Sequence, residues 1–506
     1  MERSAGILLP IFSLPSPGGI GSLGREAFAF VDFLHRAGQT WWQVLPVGPA
    51  GPGNSPYSST STFAGNPLFV DPELLREEGL VTEYDLALVR TPAEGPIDYQ
   101  RVGRDRAVLL RKAYRAGSVR DADAVQAFGQ ANPWAETCAL YQALKDRFEG
   151  KAWPDWPDEP LRRRDPAALE RARRELADEV NYHLYVQFLF DRQWTALKTY
   201  ANGLGVKIMG DLPIYVSMDS ADVWAEREFF QLDDAGSPTA VAGVPPDYFS
   251  ADGQLWGNPL YDWEAMRRSG YGWWIRRVDG AARRFDAIRI DHFRAFESYW
   301  AVPAGAETAR EGKWVKGPGM DLLKVLTGWF PKTVFIAEDL GLLTPAVHEL
   351  LEASKLPGMK VLEFAFSGPD NAYLPHNCVP GCVCYTGTHD NDTAAGWYDH
   401  AGAAERAFAE AYLGAQGREA VRLGLLRAGQ SSVAELFVAQ LQDYLGLGSE
   451  GRINTPGVAE GNWRWRLGPG RLTGALADAI REETWRYGRC RALTDEKSAG
   501  TAPGAD

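Results

Sequence analysis

No uninterrupted apolar run in this sequence approaches the roughly 20 residues that a bilayer-spanning helix needs. The first ten residues, M-E-R-S-A-G-I-L-L-P, lack the basic segment and long apolar stretch of a secretory signal. From these two absences we expect a cytoplasmic protein with no membrane partner. Cysteine is sparse and odd in number, five in 506 residues, which argues against a disulfide framework. Cys378, Cys382 and Cys384 cluster, but not at the spacing of a C-x-x-C zinc pair, and the last two alternate in an apolar run, so packing is the simpler reading. Positive charge is in deficit: 53 Lys and Arg against 66 Asp and Glu leave a net charge of -13. Such a surface does not attract nucleic acid or anionic membrane, whereas a neutral ligand is not repelled. No glycine-rich phosphate loop opens the last helical patterns, which argues against phosphorylated substrates. Internal repeats are also absent.

Aromatic side chains are in surplus, with 18 Trp, 19 Tyr and 22 Phe. A large core uses many such rings. The flat C–H faces of sugars also stack on them, so an uncharged carbohydrate is a candidate ligand.

Short apolar runs with strand character recur at residues 6–14, 40–47, 206–214, 285–293, 333–338, 359–366, 382–386 and 435–440. Between or after them come helical patterns, at 28–34, 178–204, 271–284, 319–330, 348–355, 404–428 and 471–490, with Gly38 as a stop for the first. Eight strand–helix units predict an α/β fold, a (β/α)8 TIM barrel spanning residues 1–490. Two stretches interrupt it. Residues 66–177 carry charged amphipathic patterns and are too long for one loop, which predicts an inserted helical subdomain. Residues 215–270 are irregular and aromatic, the composition of an active-site loop at the C-terminal face of the barrel. The polar residues 491–506 read as a disordered tail.

Within 285–293, F-D-A-I-R-I-D-H-F, an extended chain puts Arg289 and Asp291 on one face and Ile288 and Ile290 on the other. A charge on the inner face of a strand is costly unless paired, and Arg289 offsets that cost while favouring an ionised Asp291. Glu338 in I-A-E-D and Asp390 in Y-T-G-T-H-D-N-D fall at equivalent places, at or just after the ends of their strands. Strand ends of a barrel converge on one mouth, so these three carboxylates are expected to meet there. Carboxylates gathered in a partly dry pocket push one another's pKa apart, leaving one ionised and another protonated. Cleavage of a glycosidic bond needs such a set: a carboxylate to attack and a carboxylic acid to protonate the leaving oxygen. The same positions can instead bind a divalent cation, with His292 and His389 as further ligands.

R-I-D-H at 289–292, A-E-D-L at 337–340 and T-G-T-H-D-N-D at 386–392 resemble the strand-end motifs of the α-amylase group of retaining glycosidases. The longer strings W-W-Q-V-L-P-V-G-P from Trp41, N-S-P-Y from Asn54, G-D-L-P-I-Y-V from Gly210, V-A-G-V-P-P-D-Y-F-S from Val241 and W-G-N-P-L-Y from Trp256 are similar to one branch, the 4-α-glucanotransferases or amylomaltases. The resemblance covers residues 6–466. It implies transfer of α-1,4-glucan segments from a maltooligosaccharide or starch donor to the 4-hydroxyl of an acceptor sugar, with no cofactor and no metal. It further implies Asp291 as nucleophile, Glu338 as acid/base and Asp390 as the aspartate that stabilises the transition state. Asp211, Arg289, His292 and His389 match positions around the reacting sugar, and Tyr57, Asp247 and Trp256 match loops lining the donor and acceptor subsites. Asn462 in G-N-W-R-W-R matches a late family motif, although a polar cap in an aromatic segment fits it equally well. Many amylases carry a histidine several residues after the strand-three aspartate; Asp211 is followed here by L-P-I-Y-V-S, which favours a transferase. A transferase must keep water from its covalent intermediate, and the loop around Tyr248 and Trp256 is the candidate lid. An amylase-type hydrolase with the same acids remains the alternative, and a glucan-binding protein on an inactive barrel is the alternative from another class.

Overall fold

The computed structural model describes residues 2–246, 251–341, 343–458 and 460–491. Eight parallel strands form one sheet: β1 Ser4–Leu8, β2 Trp41–Gln43, β3 Lys207–Leu212, β4 Ala287–Ile290, β5 Val334–Ala337, β6 Met359–Val361, β7 Val383–Tyr385 and β8 Leu436–Gln440. Their spatial order is β6-β7-β8-β1-β2-β3-β4-β5, the order of a barrel. Seven strands lie inside runs read from the sequence, and β1 begins two residues before its run, at Ser4; the strands are shorter because the runs continue into irregular chain at the mouth. Both faces of β1 and β8 are buried, which is why these strands read as continuous apolar runs rather than as alternation.

The sheet closes between β5 and β6 without a ladder. Ala337 N–H donates to Pro357 O across the seam at 2.8 Å, and the Asp339 carboxylate accepts from Met359 N–H at 2.6 Å. The second acid of A-E-D-L thus joins the barrel walls. Gly358 must be glycine there, because a Cβ would stand 2.6 Å from Asp339 Oδ2.

The helices alternate with the strands. The first, Arg25–Arg36, ends at Gly38, whose φ of +67° supplies the left-handed turn. The pattern at 404–428 resolves into two helices, Ala403–Leu413 and Arg418–Ser431, because Gly414 and Gly417 both take positive φ and break the run. Between β2 and β3 lie short helices and the longer Tyr99–Gly117 and Trp134–Arg147, and Ala177–Gly203 then returns the chain to β3. Their starts are written in the sequence: Asp71, Asp98 and Asp165 each accept from a backbone N–H in the first turn, and Thr82 and Asp85 form a capping box.

The aromatic stretch 215–270 is not wholly irregular. Its strands Ala240–Val244 and Gln254–Pro259 join Ser298–Pro303 and Lys313–Lys316 in a four-stranded antiparallel sheet beside the barrel. These strands are short, and in Ser298–Pro303 the adjacent Tyr299 and Trp300 put aromatic rings on both faces, which hides the period-two signal. Asp247 and Tyr248 lie outside the described residues, as does the tail beyond Arg491. Among the described residues no helix is long and apolar enough to cross a membrane.

Candidate active site

The register of β3 and β4 pairs Asp211 with Arg289. Both side chains are buried, and Arg289 Nη1 donates to both oxygens of Asp211 at 2.8 and 2.7 Å. The same nitrogen donates to Asp291 Oδ1 at 2.8 Å. One guanidinium therefore bridges a fully covered carboxylate below and one that is open toward the mouth, with 27% of the Asp291 side chain exposed. Burial opposes the Arg289 charge, but Asp211 and Asp291 more than offset this and raise its pKa further.

Just past Asp291 the chain turns sharply. His292 takes a left-handed conformation, φ +54°, unusual for a residue with a side chain, and its N–H donates to Glu338 Oε2 at 2.7 Å. Leu340 N–H donates to Glu338 Oε1 at 3.0 Å. Burial pushes the Glu338 carboxyl up to about 8, against the pull of Arg289, and the Asp291 charge adds to the rise. Asp291 is also raised by burial, to about 7; Arg289 lowers it, while Asp211 and Asp390 act the other way. Arg289 thus acts on Asp291 as the sequence leads one to expect, but the surrounding acids and burial outweigh it. Both carboxyls are thus held above the ordinary carboxylate range, Asp291 against the pull of Arg289 and Glu338 with the Asp291 charge adding to the rise.

The third carboxylate reaches the same point through a relay of rings. Tyr57 O–H donates to Asp211 Oδ2 at 2.6 Å and lies 2.8 Å from His389 Nε2. His389 Nε2 in turn lies 3.4 Å from Asp390 Oδ1. Because Tyr57 donates to Asp211, Nε2 carries the proton that His389 offers it; burial keeps this imidazole neutral by lowering its pKa. The Tyr57 and His389 rings stack at 5.2 Å, and Trp463 lies against both. The Asp390 side chain is 44% exposed and accepts from Asn454 Nδ2 at 2.6 Å, while Arg452 donates to the Asp390 backbone carbonyl.

On the far side the Trp256 ring meets that of His292 edge to face at 4.9 Å, with Tyr215 next to it. Burial pushes the His292 imidazole down to about 3, so a neutral ring faces the indole. Trp256 is 39% exposed, an available apolar face at the rim.

The structure therefore brings together Tyr57, Asp211, Arg289, Asp291, His292, Glu338, His389 and Asp390, with Trp256 at their edge. Asn462 is engaged in its own loop: its amide accepts from Thr455 N–H and donates to the carbonyls of Thr455 and Val458. Asn454 and Arg452 were not legible in the sequence, and Trp463 lies in the quoted G-N-W-R-W-R string without having been singled out. They sit on a loop after β8 with no periodicity, and only the placement of that loop at the barrel mouth could have drawn attention to them.

A family profile described as 4-alpha-glucanotransferase matches residues 9–472. A 4-alpha-glucanotransferase of Thermus thermophilus is 48% identical over 502 residues, 96% of this chain and 99% of the relative. One from Aquifex aeolicus is 48% identical over 469 residues, 92% of this chain and 95% of the relative. Among solved structures, the amylomaltase from Streptococcus agalactiae in complex with acarbose superposes with a TM-score of 0.93 at 37% identity, covering 97% of this chain and all of that one.

Proposed function

The chain belongs to the 4-alpha-glucanotransferase family and has that activity rather than a hydrolase's; from that premise we propose that it works by a retaining double displacement on α-1,4-glucans. Asp291 attacks the anomeric carbon of the donor while Glu338 protonates the departing glucan oxygen. Glu338, now a base, deprotonates the 4-hydroxyl of an acceptor sugar, which displaces Asp291 and restores the original configuration. Asp390, steadied by His389 and Asn454, accepts hydrogen bonds from the hydroxyls of the reacting ring, and Asp211 and Tyr57 hold the other side. Trp256 stacks the acceptor and, with the adjoining segment, limits entry of water.

The observation that carries this reading is that two acids are joined through the residue after Asp291 but take different donors. Asp291 is bonded to a buried guanidinium, and Glu338 is held by the N–H of the residue after Asp291 and by that of Leu340. Incubation with maltotriose tests it: glucose must appear together with maltooligosaccharides longer than the substrate, and the first-formed product must keep the α configuration by NMR. Only shorter products, or inversion, would refute it.

In the same reading residues 66–177 form a subdomain inserted into the barrel, residues 215–270 supply the rim of the site, and the enzyme acts in the cytoplasm, where five free cysteines are stable.

A further inference from the structure

We propose that Asp443 is a positioning residue for Asp390. Asp291 ends a strand whose ladder fixes its backbone, whereas Asp390 stands on the loop 386–394 between β7 and the helix Ala394–His400. Something must hold that loop, and one carboxylate grips both of its ends. Asp443 lies in the short helix Leu441–Leu445 directly after β8 and is completely buried. Its Oδ2 accepts from the Thr386 hydroxyl, at the start of the loop, and its Oδ1 accepts from Ala394 N–H at 2.7 Å, at the end.

The neighbours reinforce the grip. Gln440 Nε2 donates to Asp392 O at 2.7 Å, and Glu363 fills the space beside Gly387, where a Cβ would stand 2.6 Å from its Oε1. Inside the loop Asn391 Oδ1 accepts from Thr388 N–H and Oγ1–H, which closes the turn beneath His389 and Asp390. A carboxylate with no access to water is unfavourable unless its oxygens are hydrogen-bonded. Asp443 meets that condition through the two ends of this one loop. It touches neither sugar nor reacting atoms in the proposed mechanism, so its effect on the reaction passes through Asp390.

The inference rests on the reading of Asp390 as a substrate-binding catalytic carboxylate, and the experiment separates the two. In the full-length enzyme, Asp443→Ala is expected to lower kcat for maltotriose disproportionation about 100-fold, the order of loss that a misplaced catalytic group produces. Thr386→Val, which removes one of the two bonds, is expected to fall between that variant and wild type. Made in an Asp390→Ala background, Asp443→Ala should cost almost nothing further, because the residue it positions is already gone. A general loss of folding would multiply with Asp390→Ala instead, and that result would overturn the proposal. So would wild-type kcat in Asp443→Ala alongside an inactive Asp390→Ala. If Asp443→Ala does not fold, Thr386→Val in both backgrounds carries the same comparison. Wild-type activity in Asp390→Ala would overturn the Asp390 reading itself, and this inference with it.

Discussion

Asp291 and Glu338 follow neighbouring strands, yet the first accepts a hydrogen bond from a guanidinium and the second from two backbone amides. A guanidinium carries a fixed positive charge and favours the ionised carboxylate; an amide offers only a dipole and stabilises the charge less. Arg289 pulls on both carboxyls through space but donates its hydrogen bond only to Asp291. In the proposed mechanism nucleophile and acid differ in their donors, and each donor is placed by the strand or turn next to it.

The sharpest break of this comparison is Asp291→Asn against Glu338→Gln. The first should abolish transfer with every donor, a loss of about 10⁴-fold or more, because no covalent bond can form. The second should lose about 10²–10⁴-fold on maltooligosaccharides yet still release fluoride from α-glucosyl fluoride, whose leaving group needs no proton. The pre-steady-state burst of fluoride decides it, because the second step still calls on Glu338 as base; an equal loss of that burst in the two variants would invalidate the assignment.

Next comes the guanidinium. Arg289→Met leaves Asp211 and Asp291 side by side with no counter-charge, and breaking such a buried pair costs about 3–5 kcal/mol. A fall in the denaturation midpoint is expected together with a rise in the apparent pKa of the nucleophile.

The pH profile of kcat/KM in the unmodified enzyme should be bell-shaped. Activity needs Asp291 ionised and Glu338 protonated, so it falls as pH drops below about 7 and again as pH climbs above about 8. Glu338→Gln, assayed with α-glucosyl fluoride, should lose the alkaline limb and keep the acid one.

The smallest effect should come from Tyr57→Phe, which removes one hydrogen bond to Asp211 and one to His389. A net loss of about 1–2 kcal/mol, near tenfold in kcat, is expected. A rate loss as large as that of Asp291→Asn would show the relay to be more than a brace.

Much of this site could be read before the fold was seen. The alternation in 285–293 set Arg289 and Asp291 on one face, and the eight runs implied a mouth where distant acids meet. Other parts could not. The antiparallel sheet that carries Trp256 is assembled from strands before and after β4, and its short members are held by one another rather than by their own pattern. Asn454 reaches Asp390 across 64 positions, from a loop whose polar residues look like those of any other loop.

Local chemistry, then, was settled by the chain itself: which segments extend or coil, because side-chain period and capping residues act over a few positions, and which carboxylate has an arginine two residues away. The proton affinities were settled by the folded whole. Burial raises both Asp291 and Glu338, the Asp291 charge raises Glu338 further, and Asp211 and Asp390 act on Asp291 through space, so only the closed barrel could set these affinities and bring the loop residue Asp390 beside Asp291.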